Sequence, residues 1–366
     1  MSQNTDQRWM ELALRIAQRG LGRVAPNPAV GCVIVKDGRI LGRARTADGG
    51  RPHAETQALF QAGTGAKGAT AYITLEPCAH TGKTPPCANA LIAAGIARVV
   101  CALPDPDTRV AGRGFEMLRA AGIVVDTGLM AEDAAALNAG YLKHRQFGLP
   151  FLTLKLATSL DGRIATQTGE SRWITGPAAR QYLHLMRSQH DAVLIGAGTA
   201  RSDDPMLDIR LQGYAGPHPA RVVVSHGLDI PLQGRLMASA HEIRTILLCA
   251  DNCPQPQRDR FTEMGAEVIS CTPQQPETAL RKLAERGLTR VLCEGGGMLA
   301  ASLIKAQLVD EFAIFTAGLA LGATGRAAIG PLDIDAMADH PRFQLHSTQR
   351  IGADVLTCWQ RHQPTR

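Results

Sequence analysis

The spacing of apolar residues along this 366-residue chain changes period several times. Trp9, Leu12, Ala13, Ile16 and Ala17 recur at helical spacing, which predicts an amphipathic helix over about residues 6–20. Residues 30–35 are a short unbroken apolar run, the pattern of a buried strand. Asp37 and Gly38 then signal a tight hairpin turn into a returning strand at Ile40 and Leu41. Residues 54–60 have helix-forming composition, with Pro52 near the first turn. Further strands are predicted at 70–75, 98–103 and 123–125, and helices at 87–94 (opened by Pro85 and Pro86), 114–121 and 131–147. Strands alternating with helices predict a layered α/β domain.

Phe147, Gly148 and Pro150 end that series, and a new strand begins at 151–157. We place the domain boundary here, giving domains 1–147 and 148–366. The second half continues with strands at 191–195, 221–224, 245–249, 268–269 and 290–293. Helices are predicted at 177–188, 257–264 and 276–286, and an apolar helix at 298–304. Segments 213–219 and 252–256 read as Gly/Pro-rich surface loops, and no internal repeat is evident.

Composition narrows the function class. The length suits two domains. The net charge of +6 is scattered, with no run of five or six like charges, and aromatic residues are only 4%. That combination argues against nucleic acid as a partner and suits a small anionic substrate. The polar N-terminus lacks a signal-peptide pattern, and no apolar run approaches the ~20 residues that span a bilayer. A cytoplasmic protein without a membrane partner is expected. Nine cysteines, an odd number at irregular spacings, are then expected to stay reduced, so paired Cys and His suggest metal ligation rather than disulfides.

One constellation fits that expectation. His53, Cys78 and Cys87 form a three-donor zinc set, which leaves one tetrahedral position open for water. Zinc lowers the pKa of that water towards ~7. Glu55, two residues after the histidine and not itself a ligand, is placed to carry protons. Cys87 at a predicted helix start gains thiolate stabilisation from the helix dipole. His-x-Glu followed by Pro-Cys-x-x-Cys marks zinc nucleobase deaminases. Here eight residues, not two, separate the cysteines. In the second half, residues 197–199 directly follow an apolar strand, and residues 201–205 are read as the ensuing loop. Residues 294–297, Glu-Gly-Gly-Gly, lie between a strand and a helix, a context in which backbone can approach a phosphate.

These stretches resemble the bifunctional riboflavin-biosynthesis deaminase/reductase family. The matching segments are 26–32, His53 to Glu55, 74–78, 82–87, 155–163, 173–176, 203–205, 294–296 and 308–311, in family order over nearly the whole chain. The resemblance implies a cytidine-deaminase-like domain followed by a dihydrofolate-reductase-like domain, with Zn2+ in the first and NADPH in the second. It implies a small phosphorylated pyrimidine as substrate, deaminated and then reduced from ribosyl to ribityl, and a homo-oligomer. His53, Cys78 and Cys87 match the zinc ligands and Glu55 the catalytic proton shuttle. Asn27, His80 and Lys83 match the deaminase substrate pocket, and the long loop between the cysteines can bring Lys83 towards the phosphate. Cofactor positions match Ala157, Trp173, Thr199 and Asp203, with the segment Gly296, Gly297, Met298, Leu299, Ala300, Ala301 and Ser302. Substrate positions match Ser171, Arg187, Leu207, Arg210 and Glu294; Lys155 and Asp161 are lesser candidates. Ser225-His226 stands where the family usually has Asp-Ser, which bears on the preference for NADPH over NADH.

Structural roles compete at several positions: Glu294 as a helix cap, Arg187 as a helix-surface residue, Trp173 as core, and Asp203 or Asp204 as turn residues before Pro205. The competing functions are a tRNA or nucleobase deaminase with an appended binding domain, and a regulatory module that keeps zinc for its fold. The spacing of the cysteines and the reductase motifs disfavour the first, and Glu55 disfavours the second.

Overall fold

The computed structural model describes residues 3–80, 85–107, 111–336 and 341–361. The chain divides into two compact units, Met1–Gly148 and Leu149–Arg366.

The first unit runs α1 (Gln3–Gln18), β1 (Gly31–Lys36), β2 (Arg39–Arg45), α2 (Ala54–Ala62), β3 (Thr70–Ile73), α3 (Cys87–Ala93), β4 (Arg98–Cys101), α4 (Arg113–Ala120), β5 (Val124–Thr127), α5 (Ala131–Leu137) and α6 (Ala139–Phe147). Its sheet has the order β2-β1-β3-β4-β5, antiparallel at β2, β1 and β3 and parallel from β3 to β5. The apolar run in β1 is explained by alternation: Cys32 and Ile34 enter one core, while Val33 and Val35 enter another with Trp9, Met10 and Ala13 of α1. Both faces of the sheet are therefore covered. Helix α1 sits so close that a Cβ on Gly31 would lie 2.0 Å from the Ala13 carbonyl oxygen.

The hairpin turn is as expected, with Asp37 and Gly38 both at positive φ. The single helix expected over 131–147 is instead two, broken at Asn138. The Asn138 side chain is buried and doubly engaged. Its Oδ1 accepts from Ala29 N at 2.9 Å and its Nδ2 donates to Ala29 O at 3.1 Å. Fixing that geometry outweighs one continuous helix.

The second unit runs β6 (Phe151–Thr158), β7 (Arg163–Ala165), α7 (Pro177–Ser188), β8 (Ala192–Gly196), α8 (Ala197–Asp203), β9 (Ala220–Val224), α9 (Arg235–Ala238), β10 (Thr245–Ala250), α10 (Gln255–Glu263), β11 (Glu267–Cys271), α11 (Pro276–Ala284), β12 (Arg290–Cys293), α12 (Gly297–Lys305), β13 (Glu311–Thr316), β14 (Arg326–Ala327), β15 (Phe343–Ile351) and β16 (Asp354–Arg361). Nine strands order as β11-β10-β9-β8-β12-β6-β13-β16-β15, parallel from β11 to β13; β7 and β14 form a separate two-stranded ribbon. Strand β12 inserts between β8 and β6, so the order switches direction there. Ligands of open α/β sheets bind at the carboxyl ends of the strands at such a switch. The loop expected at 201–205 begins as helix: α8 places Thr199 and Asp203 one turn apart on one face. No helix among the described residues is long and apolar enough to cross a membrane.

Asn138→Ala strands a buried donor and acceptor on Ala29. It should destabilise the first unit by roughly 2–4 kcal/mol, read as a lower midpoint in denaturant melts.

Candidate metal centre and reductase cavity

His53 is the residue before α2, and Cys87 is the first of α3. The turn ahead of His53 is packed tightly. Gly50 lies at φ +87°, and a Cβ there would fall 1.9 Å from Asn27 Nδ2. Asn27 therefore sits against the segment that delivers His53. Cys78 follows strand β3 through Leu75, Glu76 and Pro77. Sequence reasoning gave Glu76 no role, yet its buried carboxylate fixes this approach. It accepts backbone N–H groups from Asp105 (3.2 Å), Gly112 (3.0 Å) and Gly114 (3.0 Å). A carboxylate at the end of an apolar strand beside Pro77 was the available signal.

His53 Nδ1 lies 3.3 Å from Cys87 Sγ and 3.7 Å from Cys78 Sγ, and the three donor atoms all fall within 4.8 Å of one another. Zinc bonds of ~2.0–2.3 Å in a tetrahedron set donor–donor edges of about 3.5–3.8 Å, so this donor set fits zinc. The Cys87 N–H donates to Cys78 Sγ at 3.3 Å. The hydrogen bond with Cys87 pulls the Cys78 thiol down to about 4, and the same contact pushes Cys87 up. Glu55 is buried against Cys87, and burial raises its carboxyl to about 7. His80 is half-buried, and its Nδ1 has no hydrogen-bond partner among the described residues. Lys83 lies outside the described residues. Burial raises the Cys249 and Cys271 thiols to about 11, so these behave as core fillers.

In the second unit a cavity of about 910 Å³ opens at the switch between β6, β12 and β8. Of the expected cofactor positions, Ala157, Thr199 and Asp203 line it, as do Gly296, Gly297, Met298 and Leu299 from the glycine run and first turn of α12. Ala300 and Ala301 do not: they turn into the core, and Ser302 also lies outside the wall. A helix presents only one face, so a continuous seven-residue contact is not available. Trp173 is also outside the cavity wall. It is 68% exposed, hence not core, with Arg180 stacked 4.3 Å from its ring centroid.

Among the expected substrate positions, Ser171 and Glu294 line the cavity, with Lys155 beside them. Arg187 is buried rather than on the helix surface. It grips Glu294 with two hydrogen bonds, Nε to Oε1 at 2.7 Å and Nη2 to Oε2 at 2.8 Å, and donates from Nη1 to Asp208 O at 2.8 Å. Glu294 is thus held by Arg187 instead of capping α12. Burial pushes the Glu294 carboxyl up, but the Arg187 charge pulls it further down, so the net shift is downward. Leu207, at φ +53°, packs in the core with Val193 and Ile195, away from the cavity. Arg210 is exposed and pairs with Asp208 at 3.3 Å. Asp161 is not in the wall either. It accepts from Ser159 Oγ, Leu321 N and Gly322 N, a scaffold role, and the Ser159 hydrogen bond leads in lowering it to about 2. Ser225 bonds Asp229 at 2.7 Å and His226 bonds Gln274 at 3.1 Å, and neither lines the cavity.

Arg187→Met leaves Glu294 as a buried, unpaired charge. A loss of roughly 3–5 kcal/mol in stability is expected for the second unit, measurable by chemical denaturation.

Comparison with known proteins gives two family matches. Residues 3–103 match the cytidine and deoxycytidylate deaminase zinc-binding region, and residues 150–357 match the RibD C-terminal domain. The riboflavin biosynthesis protein RibD of Escherichia coli (strain K12) is 39% identical over 364 residues, covering 96% of this chain and 98% of that protein. The solved structure of Acinetobacter baumannii RibD superposes with a TM-score of 0.91 at 38% identity, covering 99% of this chain and 100% of that one. A diaminohydroxyphosphoribosylaminopyrimidine deaminase/5-amino-6-(5-phosphoribosylamino)uracil reductase from Thermotoga maritima gives 0.87 at 32% identity, covering 98% and 99%. The resemblance read from the motifs is borne out along nearly the full chain, in both its deaminase and its reductase half. This chain belongs to the RibD family of bifunctional riboflavin-biosynthesis enzymes, which join a zinc-binding deaminase to an NADPH-dependent reductase.

Proposed function

We propose that the first unit removes the 2-amino group of 2,5-diamino-6-(5-phosphoribosylamino)pyrimidin-4-one by hydrolysis. The second unit then reduces the ribosyl chain of the product to ribityl, giving 5-amino-6-(5-phosphoribitylamino)uracil. The observation that carries this reading is the coexistence in one chain of the His53, Cys78, Cys87 cluster backed by buried Glu55, and a ligand-sized cavity at a sheet switch point.

His53 Nδ1 and the sulfurs of Cys78 and Cys87 would hold the zinc. Bound there, it supplies an acidified water near neutral pH. Glu55 takes one proton of the attacking water and passes it to the pyrimidine ring, then carries the second proton from the new hydroxyl to the departing amine, which leaves as ammonia. Its burial, which lifts the carboxyl towards neutrality, suits it to both giving and taking protons. Asn27 and His80 are assigned to the pyrimidine, and His80 Nδ1, which has no hydrogen-bond partner among the described residues, supports that. Lys83 is assigned to the phosphate.

In the reductase, NADPH supplies the reducing equivalents. Gly296 and Gly297 let the cofactor approach the backbone, and Thr199, Asp203 and Ala157 border it. Ser171, Glu294 and Lys155 offer acceptor and donor groups to the sugar, with Arg187 acting on the substrate through Glu294. Arg210, still exposed, is assigned to the sugar phosphate. A cytoplasmic homo-oligomer is part of the same reading, and light scattering tests the self-association.

Zinc-loaded protein given the diaminopyrimidine should release ammonia and then oxidise NADPH. Glu55→Gln should lower ammonia release by roughly 10²–10⁴-fold, with zinc content unchanged and NADPH oxidation intact on pre-deaminated substrate. Loss of both activities in a folded variant would sink the two-site reading.

A further inference from the structure

The guanidinium groups around the reductase cavity are mostly committed. Arg187 holds Glu294, Arg201 holds Asp229, Arg235 holds Asp204, and Arg172 lies over Trp173. Arg326 differs. It lines the cavity, is exposed, and its guanidinium has no hydrogen-bond, ion-pair or aromatic-ring partner among the described residues. It lies outside the matching sequence segments, the last of which is 308–311.

Its placement is nonetheless fixed. Arg326 lies on β14, paired with Ala165 of β7. Asp161 ties the preceding segment down through Leu321 N (3.1 Å) and Gly322 N (2.6 Å). The guanidinium lies face-on against Gly169: a Cβ added there would fall 2.8, 3.0 and 3.3 Å from Nη2, Cζ and Nη1. Gly169 is at φ +97°, so a bare, left-handed residue makes room for the plane. The same ribbon is drawn against the start of α12. Gly330 N donates to Gly297 O at 2.9 Å, and a Cβ on Gly297 would lie 2.8 Å from Ala327 O. Helix α12 has no side-chain cap, and its first turn faces the cavity too. Two positive elements, a free guanidinium and an uncapped helix start, thus border one cavity. A planar fork of donors suits phosphate oxygens.

We propose that Arg326 binds a phosphate group of the reductase's ligands, carried by either the dinucleotide or the sugar phosphate. The inference rests on the cavity being the reductase site. In the full-length, zinc-loaded enzyme, Arg326→Ala and Arg326→Lys are compared with the parent. NADPH and NADH affinities are measured by fluorescence titration, and KM is measured for phosphorylated and dephosphorylated deaminated substrate. With the dinucleotide as source, Arg326→Ala weakens NADPH binding about 10- to 100-fold, Arg326→Lys recovers part of it, and ammonia release and the thermal midpoint hold. An equal loss with NADH then assigns the pyrophosphate, and a smaller loss assigns the 2′-phosphate. With the sugar phosphate as source, KM rises only for the phosphorylated substrate while NADPH affinity stays put. Affinities and KM values all within twofold of the parent overturn the proposal. A parent that binds neither dinucleotide overturns the cavity reading itself, a result distinguishable from unchanged binding in the variants.

Discussion

An α-helix leaves the N–H groups of its first turn without intrahelical partners, and they carry roughly half a positive charge. The chemistry of this chain gathers at such turns. His53 precedes α2, Cys87 opens α3, α8 starts directly from β8, and α12 starts four residues after β12. Among the described residues, side-chain oxygens cap none of the four. Thiolate, carboxylate or phosphate oxygen can take that place. Parallel strand order makes the arrangement recur, because each strand-to-helix turn emerges at the same edge of its sheet. Glycine at 196, 296 and 297 keeps the edge low enough in the second unit for a ligand to reach it.

Charges taken out of water beside those turns must be compensated, at several kcal/mol per ion. Each unit solves this differently. Glu76 is satisfied by three backbone N–H groups, which pins Asp105, Gly112 and Gly114 next to Pro77. The fit is close: a Cβ on Gly114 would sit 2.2 Å from Pro77 O. Glu294 is satisfied by the Arg187 fork, which leaves one face of the carboxylate group to the cavity. Arg221, fully buried, is satisfied by hydroxyls and carbonyls: Ser239 Oγ at 2.6 Å, Leu236 O at 3.0 Å and Ile243 O at 3.0 Å. Burial lowers its pKa to about 10. In each case the compensation holds a loop in place, so the buried charge also acts as a clamp.

The sequence was most legible where a local rule decides the structure. Short unbroken apolar runs marked β1, β8 and β10, and Asp37-Gly38 marked its hairpin. The zinc cluster was legible because metal ligation demands few residue types at constrained spacing. Three kinds of feature were not. Helix α8 has too few residues, with Gly198, Ser202 and Asp203 among them, to show a period. The break at Asn138 depends on Ala29, more than a hundred residues away in sequence. The C-terminal pair β15 and β16 went unread because β15 is exposed almost throughout and so carries no alternation. At the reductase site, motif matching named residues by position. Burial then separated Gly296 to Leu299 at the cavity from Ala300 and Ala301 in the core.

The protonation pattern at the first site shows what kind of group it is built around. Cys78, Cys87 and Glu55 could together carry three negative charges in a small, largely buried space. The protein alone does not sustain them: Cys78 is drawn down while Cys87 and Glu55 are pushed up. His53 is raised, first by its hydrogen bond to Cys78, and supplies only part of the missing positive charge. A dication bound by Nδ1 and both sulfurs would hold the two thiols as thiolates and leave Glu55 as the group still free to exchange a proton. The position of Glu55, against the Cys87 sulfur but outside the donor set, is what divides ligand from proton carrier. With a fourth sulfur in its place, the same pocket would hold a closed structural zinc.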